Sequence, residues 1–410
     1  MKDTAGLKSR IEEQIKQPTE QISVIKLVDL LVQYAYETRA SDVHIEPTSD
    51  ALRIRYRIDG LLYDSFRAVE VNRAIHPEVI SRIKVLSGLR TDEHLLPQDG
   101  RFKVKIEDFG DVDVRVSIIP TYYGENAILR VLAETQNFNL DDMGLSRDDL
   151  GKVKRAVAKP YGMILANGPT GSGKTTMLYT ILKQLNKSDI SIITIEDPIE
   201  YSLAGTTQIQ TNAAVGLTFA AGLRSILRQD PNIIMVGEIR DEETASIAVN
   251  AALTGHLVLS TLHTNDAATT FPRLIDMGVP SFLIASTVNV AIGQRLVRML
   301  CQKCRAPRDL SVAEIHSLQE LIPGVHENMK FFQSKGCDDC GGTGYQGRLG
   351  IREVLEVNDE VRKLIMDRAD AGRIKDAAVR NGMTTMVDDA LAKVNTGLTS
   401  IEEVVRVVHE

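Results

Sequence analysis

The sequence predicts an α/β protein in two parts, a smaller α+β domain followed by a larger domain with a parallel sheet. A chain of 410 residues is too long for one ordinary hydrophobic core. In the first third of the chain, apolar residues alternate at period two, as they do in half-buried antiparallel strands. Beyond that third, short apolar strands alternate with helical stretches, a pattern typical of a parallel sheet covered by helices.

The smaller domain is predicted over residues 21–133, after a lead-in over 1–20. Apolar residues between Ile22 and Val32 recur at helical spacing, which predicts a helix with one buried stripe. Two hairpins should follow, one turning at Asp59-Gly60 and one made of DVDVRVSIIP (111–120) and AILRVLAE (127–134). The polar, aperiodic stretch 134–146 is expected to be a linker.

The larger domain is predicted over residues 147–410. Its expected strands are GMILANG, ISIITIE, NIIMVGE and HLVLSTL, and its expected helices start at Lys174 or cover 218–229 and 242–254. Residues 358–410 read as helical to the end. The order of strands and helices again favours a parallel sheet.

Composition and charge exclude several classes of protein. A net charge of −7 argues against nucleic acid as the main partner, because phosphate backbones are bound by an excess of basic residues. The most apolar segment, residues 279–293, is interrupted by polar side chains, so we expect no membrane span. The first twenty residues are charged and lack the apolar core of a signal peptide. A cytoplasmic protein is therefore expected.

A phosphate-binding loop is the most specific motif in the sequence. GPTGSGKTT follows an apolar strand and precedes a helix, which is the context that this motif requires. Its glycines let backbone N–H groups surround phosphates, Lys174 adds a positive charge, and the hydroxyl of Thr175 can contact magnesium. The predicted nucleotide-binding residues are Gly168, Pro169, Thr170, Gly171, Ser172, Gly173, Lys174, Thr175 and Thr176. The sequence thus predicts a site for a nucleoside triphosphate and Mg²⁺.

Acids and histidines follow other strands of the predicted sheet. Glu238 ends an apolar strand and is expected near the phosphates, where it would contact magnesium directly or through water, unless it is simply an exposed strand-end acid. His263 could sense or orient the γ-phosphate, although a hydrogen-bonded structural role is equally open. His256 and His263 lie at opposite ends of one strand, roughly 20 Å or more apart, so we do not expect them to share a metal.

Four cysteines form the pattern C-x₂-C…C-x₂-C within residues 298–350. They are Cys301, Cys304, Cys337 and Cys340. Four thiolates at this spacing suit a tetrahedral structural Zn²⁺ site, and the glycine-rich segment after the second pair supplies tight turns. Disulfides are the competing interpretation, which a reducing compartment disfavours.

With these motifs assembled, the chain resembles the bacterial secretion ATPases that power type II secretion and type IV pilus assembly. The resemblance is carried by GPTGSGKTT, TIEDPIE, RQDPNIIMVGEIRD and TGHLVLSTLHTND, and by SDVHIEP, PQDGR and DVDVRVSIIP in the first domain. It implies a PAS-like domain joined to a RecA-like P-loop NTPase domain, in a homohexamer that is peripheral to the inner membrane. Many members carry a further N-terminal domain, so this chain is expected to be short or truncated relative to them.

The resemblance also implies roles for particular residues. Glu200, the last acid of TIEDPIE, would activate the attacking water, and Glu238 would coordinate magnesium. Glu196 remains the alternative activator, since spacing alone cannot place the γ-phosphate. Arg115 and Arg130 match arginines that reach the γ-phosphate from the first domain in this family, whereas an arbitrary arginine on a strand is more often solvated or salt-bridged.

Three functions follow as hypotheses. The first is an ATP-hydrolysing motor that drives assembly of a pilus or pseudopilus through an inner-membrane platform protein. The cysteine module resembles the one in assembly-type members, which favours extension over retraction. The alternatives are a RecA-like nucleic-acid motor and a nucleotide-gated scaffold with negligible turnover.

Overall fold

The computed structural model describes residues 4–66, 71–106, 110–132 and 139–409. It divides into two compact units, Met1–Gln136 and Asn137–Glu410. The division falls in the segment 133–138, which lies outside the described residues and holds the start of the expected linker. The rest of that expected linker belongs to the second unit. It contains a 3₁₀ turn, Leu140–Met143, whose two end residues are buried in the core of that unit.

The first unit is an antiparallel sheet with helices packed on its apolar face. The helices are α1 (Thr4–Ile15), α2 (Val24–Glu37) and α3 (His76–Leu86). The strands are β1 (Ala40–Pro47), β2 (Ala51–Ile58), β3 (Leu61–Tyr63), β4 (Val71–Asn72), β5 (Gln98–Ile106), β6 (Gly110–Thr121) and β7 (Gly124–Leu132). They follow one another across the sheet in the order β3-β2-β1-β7-β6-β5, with β4 beside β2.

The local signals in the first unit correspond to elements of the structure. Helix α2 covers the predicted helical stretch and begins at Ser23, whose side chain caps the backbone N–H of Lys26. The first hairpin turns where expected, because Asp59 and Gly60 both have positive φ (49° and 91°), as a tight two-residue turn between twisted strands requires. The predicted helix and hairpin are confirmed.

The second unit is a mostly parallel sheet between helices. Its strands are β8 (Gly162–Asn167), β9 (Ile192–Glu196), β10 (Thr207–Gln210), β11 (Ile233–Val236), β12 (Leu257–Leu262), β13 (Val288–Leu300), β14 (Arg305–Arg308), β15 (Phe331–Ser334) and β16 (Tyr345–Glu356). Its helices are α4 (Arg147–Val157), α5 (Lys174–Leu185), α6 (Phe219–Ile226), α7 (Glu242–Leu253), α8 (Thr270–Asp276), α9 (Ser281–Thr287), α10 (Val312–Leu321), α11 (Asp359–Met366), α12 (Ala371–Arg380), α13 (Met386–Asn395) and α14 (Ile401–His409).

The strand order brings the loops that carry the motifs to one edge of the sheet. The order is β10-β9-β11-β12-β8-β13-β16, and every neighbouring pair is parallel except β13 with β16. Loops that follow β8, β9, β11 and β12 therefore leave the sheet at the same carboxyl edge, where ligands bind in folds of this type. The predicted parallel α/β architecture is confirmed.

The long antiparallel pair β13–β16 was not predicted. Residues 279–293, the most apolar segment of the sequence, are divided between the short helix α9 and the beginning of β13. Within the described residues, no helix is both long and apolar enough to cross a membrane. Strand β13 continues to Leu300 and pairs with β16 almost along its whole length, and the two strands bracket the cysteine segment.

Candidate nucleotide site and cysteine cluster

The phosphate loop joins the buried strand β8 to helix α5. Three of its glycines have positive φ, 141° at Gly168, 78° at Gly171 and 86° at Gly173, and these values favour residues without a Cβ. Gly173 immediately precedes α5, and no side chain caps this helix. The first N–H groups of α5 are therefore turned toward the loop, which is the arrangement that binds anions at a helix N-terminus.

Lys174 places its ammonium group inside the loop. Its Nζ atom donates to the carbonyl oxygens of Gly168 (2.8 Å) and Pro169 (2.9 Å). Burial lowers the pKa of Lys174, and the negative charge of Glu238 partly opposes that shift. The hydroxyl of Ser172 is buried and has no hydrogen-bond partner among the described residues. A cation held by neutral carbonyls and a buried unpaired hydroxyl are a fitting environment for phosphate oxygens.

Glu238 and His263 lie together at the same edge of the sheet. Glu238 follows β11 and His263 follows β12, and the His263 Nε2 atom lies 3.0 Å from a carboxylate oxygen of Glu238. Arg240 pairs with the other oxygen of that carboxylate, and this hydrogen bond raises the pKa of Arg240. His256, by contrast, bonds the backbone oxygen of Ala251 through Nδ1, which is a local structural contact. The two histidines flank β12 as the sequence indicated.

Glu196 is buried in a hydrogen-bond network at the end of β9. Its carboxylate accepts hydrogen bonds from the hydroxyl of Tyr179, from Thr194 Oγ1 at 2.6 Å and from Gln208 Nε2 at 3.1 Å. Burial, and then the hydrogen bond to Glu196, raise the pKa of Tyr179. Because Tyr179 lies on α5 and Gln208 on β10, the carboxylate of Glu196 ties β9, α5 and β10 together.

Glu200 has a different environment from Glu196. It lies beyond the strand, in the loop that begins at Asp197 and Pro198, and it is half-buried rather than fully enclosed. The backbone of Glu200 hydrogen-bonds the hydroxyl of Tyr179, so the loop is attached to the helix that follows the phosphate loop. The acids of TIEDPIE are thus divided between the core and the open edge of the sheet.

Arg115 and Arg130 lie directly opposite each other in the first unit. Strand β6 buries Val112, Val114, Val116 and Ile118 on one face, as predicted. The register places Arg115 between Arg101 on β5 and Arg130 on β7, and Arg130 opposite Asp42 on β1. Arg130 Nε donates to Asp42 at 2.9 Å. These residues form a row across the sheet, named here the arginine row, and it consists of Arg101, Arg115, Arg130 and Asp42.

The arginines of β2 belong to the same sheet and are also paired with acids. Arg53 binds Asp64 at 3.0 Å, and Arg55 binds both oxygens of Glu46. The third, Arg57, lies 3.5 Å from Asp42 and so shares that acid with the arginine row.

The four cysteines converge on one point between β13 and β16. Their Sγ atoms all lie within 4.8 Å of one another, with 3.8 Å between Cys301 and Cys337 and 3.9 Å between Cys304 and Cys340. Sulfur ligands about 2.3 Å from a tetrahedral zinc ion lie about 3.8 Å from one another, whereas the two sulfur atoms of a disulfide are about 2.05 Å apart. The cysteines are free, which removes the disulfide interpretation, and the cluster fits zinc.

Backbone N–H groups also point at these sulfurs. Cys340 Sγ accepts from the backbone of Cys337 at 3.1 Å and from Gly344 at 3.2 Å. Such hydrogen bonds favour the thiolate form that metal coordination needs. The glycine-rich turn after Cys340 supplies the second of them, the N–H of Gly344, in the segment where the sequence predicted tight turns.

Sequence reasoning did not identify three residues of this site. Arg240 could have been predicted, because it lies two residues after Glu238 in the loop at the carboxyl edge of the sheet, where its positive charge can pair with that acid. Tyr179 and Gln294 gave no signal. They lie within an ordinary helix and an apolar strand, and only the tertiary structure brings them to Glu196 and to the phosphate loop.

The strand order, the loop after β8 and the acid after β11 together define a P-loop ATPase domain. The family model described as "Type II/IV secretion system protein" matches residues 17–406. The chain belongs to this family.

Named relatives agree with that assignment. The chain is 44% identical over 401 residues to the type IV pilus assembly ATPase PilB of Myxococcus xanthus, which covers 96% of this chain and 69% of that protein. It is 46% identical over 401 residues to the type II secretion system protein E of Xanthomonas campestris, covering 97% and 70%. Among solved structures, the pilus retraction motor PilT with bound ADP superposes with a TM-score of 0.61 at 26% identity, covering 92% and 95%.

Proposed function

We propose that this protein is a motor that hydrolyses ATP to drive assembly of a type IV pilus or of a type II secretion pseudopilus. The observation that carries the proposal is the phosphate loop, with Lys174 buried inside it and Glu238 on the neighbouring loop close enough to act on the charge of that lysine. The names of the relatives, an assembly ATPase and a secretion protein E, support this use of the site.

In the proposed site, the phosphate loop and Lys174 bind the phosphates of ATP. When ATP binds, the ammonium group of Lys174 would leave the carbonyl oxygens of Gly168 and Pro169 and contact phosphate oxygens. That contact is stronger because the phosphate oxygens are negatively charged. Thr175 on the first turn of α5 and Glu238 would hold Mg²⁺, since both offer the oxygen ligands that this ion prefers. The bound ion would neutralise charge on the phosphates.

Glu200 is the proposed acceptor of the proton from the attacking water. Its loop position leaves the carboxylate able to approach the γ-phosphate, whereas the carboxylate of Glu196 is occupied by three donors. His263 and Arg240 contact the carboxylate of Glu238 in this structure, and magnesium would compete with them for its oxygens. His263 is proposed to orient the γ-phosphate, and Arg115 and Arg130 to neutralise charge in the transition state.

The proposal includes the setting in which the motor works. We propose a homohexamer that lies at the cytoplasmic face of the inner membrane and transmits domain motion to an inner-membrane platform protein. Extension is favoured over retraction by the cysteine cluster and by relatives at 44–46% identity that are named for assembly and secretion.

The test measures what stimulates ATP hydrolysis by the full chain. Mg²⁺-dependent phosphate release is followed alone, with vesicles of phosphatidylglycerol, with the cytoplasmic part of the platform protein, and with single-stranded DNA or RNA. We expect the platform protein or the vesicles to raise turnover, and sedimentation with a non-hydrolysable ATP analogue and Mg²⁺ to show hexamers. Stimulation by nucleic acid alone would favour the nucleic-acid motor, a function that the names of the relatives do not support.

A second expected result concerns zinc. We propose that Cys301, Cys304, Cys337 and Cys340 hold one structural Zn²⁺, so elemental analysis of the full chain purified without chelators should give about one zinc per chain. Cys337→Ser should lose most of that zinc and lower the melting temperature, because the binding free energy of a structural metal contributes to folding. Lys303→Ala is the matched control, since it breaks the exposed ion pair with Asp339 and leaves all four thiols in place. Full zinc in Cys337→Ser, or no zinc in the wild type, would contradict the assignment.

A further inference from the structure

Gln294 lies beside the phosphate loop at the point where that loop leaves the sheet. In the parallel register of β13 with β8, Gly293 is opposite Asn167, the last residue of β8. The next residue, Gln294, therefore lies beside Gly168, the first residue of the loop, and it is buried. Its Nε2 atom donates a 2.6 Å hydrogen bond to the backbone oxygen of Ser172. No residue of the sequence motif provides this contact.

The loop packs tightly against Gln294 at both of its ends. A Cβ atom added to Gly168 would lie 2.3 Å from the backbone oxygen of Gln294. A Cβ atom added to Gly173 would lie 2.6 Å from the Nε2 atom of the same residue. One glutamine therefore lies against the beginning of the phosphate loop, at Gly168, and against its end, at Ser172 and Gly173, and the two glycines permit the approach.

Arg352 fixes the orientation of the Gln294 amide. It lies directly across from Gln294 in the antiparallel pair β13–β16, and its Nε atom donates to Gln294 Oε1 at 2.9 Å. A guanidinium group can only donate and a backbone oxygen can only accept. The amide oxygen must then face Arg352 and the amide nitrogen must face Ser172, and the reverse orientation would lose both hydrogen bonds.

Arg352 is itself anchored deep in the second unit. It is 3% exposed, and burial lowers its pKa to about 10. A second nitrogen of its guanidinium group donates to the backbone oxygen of Met143, and its backbone N–H donates to Asp389 on α13 at 2.8 Å. A buried charge with fixed partners polarises the amide that it binds, which strengthens the next hydrogen bond in the chain.

We propose that Gln294 and Arg352 are positioning residues that hold the phosphate loop in its nucleotide-binding shape before the nucleotide arrives. This inference rests on the proposed binding of ATP at that loop. Without these two residues, part of the binding free energy would be used to order the loop, so affinity would fall while the chemistry of the bound nucleotide stayed the same.

Gln294→Glu tests the proposal because it separates stability from binding. The carboxylate keeps its hydrogen bond to Arg352, now as an ion pair, but it turns a second acceptor toward the backbone oxygen of Ser172. We expect the ion pair gained with Arg352 to offset the hydrogen bond lost to Ser172, so that the melting temperature without nucleotide stays near that of the wild type, while the Kd for Mg-ADP in titration calorimetry rises about tenfold. The KM for ATP should rise in parallel, with kcat at saturating ATP within about twofold of wild type.

Arg352→Met and Arg155→Ala complete the experiment. The methionine removes the group that orients the amide and should also raise KM, which keeps the test decisive if Gln294→Glu fails to fold. Arg155→Ala is the matched control, because it breaks an ion pair to Glu356 on the same strand β16 at the surface, and it should bind Mg-ADP like the wild type. Variants that fold and keep wild-type Kd and KM overturn the inference. A wild-type chain that does not bind Mg-ADP overturns the proposed function instead.

Discussion

Glu200→Gln is expected to lower ATP turnover by about a hundredfold or more while ATP binding stays close to that of the wild type. The amide has nearly the shape of the carboxylate but cannot accept the proton of the attacking water, and a positioned general base contributes about 10² to 10⁴ in rate. The loop of Glu200 is tied to the hydroxyl of Tyr179 through its backbone, so the substitution leaves that attachment intact. Phosphate release and calorimetric binding of a non-hydrolysable ATP analogue measure the two effects separately.

Glu196→Gln is the matched control for this prediction. The carboxylate of Glu196 accepts from Tyr179, Thr194 and Gln208, and an amide would place an N–H group against one of these donors. We expect a loss of about 2 kcal/mol in the free energy of unfolding, since a buried polar group is left unsatisfied. If Glu196→Gln abolishes turnover without loss of stability and Glu200→Gln remains active, the two roles are exchanged. If the wild-type rate is already negligible and Glu200→Gln leaves it unchanged, the chain is a nucleotide-gated scaffold.

The contrast between these two acids illustrates what the sequence could predict. Local patterns were sufficient for the strand that ends at Glu196. The burial of the Glu196 carboxylate depends on Tyr179 and Gln208, which are 17 and 12 residues away along the chain. The sequence therefore left two candidates for the water activator, and tertiary contacts gave them different environments.

The second unit shows the same division between local and long-range information. The phosphate loop is specified by consecutive residues, so its glycines and Lys174 were placed from sequence alone. The contact between Gln294 and Arg352 joins residues 58 positions apart on two strands that the sequence did not reveal. Strand β13 gave no clear signal because its first seven residues are buried on both faces, so that polar and apolar residues do not alternate along it.

The cysteine cluster depends on both local and long-range information. Its ligand set could be predicted because paired C-x₂-C motifs have a recognised chemistry, although 32 residues separate Cys304 from Cys337. The long β13–β16 pair explains how the two motifs meet, since each lies at the same end of that pair.

Replacing both Arg115 and Arg130 by alanine is expected to reduce kcat about a thousandfold. Arginines that neutralise charge in phosphoryl transfer contribute about 10³ to 10⁵ in rate. In the arginine row, three arginines lie side by side on neighbouring strands. Asp42, the acid of the row, is a described partner of Arg130. Like charges placed directly opposite each other on a sheet are unfavourable, a cost that the carboxylate of Asp42 offsets in part. A polyphosphate would offset that cost.

The effects on stability and on activity are expected to differ in size. The double substitution removes one partner of the buried Asp42, so the melting temperature should fall somewhat, while kcat of the folded protein at saturating ATP falls about a thousandfold. Lys103→Ala is the control, since it removes one positive charge from the same face of the sheet, on the strand that carries Arg101, without entering the row. Wild-type turnover in the double variant would show that neither arginine acts in catalysis. A kcat that falls only in proportion to the fraction of unfolded protein would indicate that they act through the fold of the first unit.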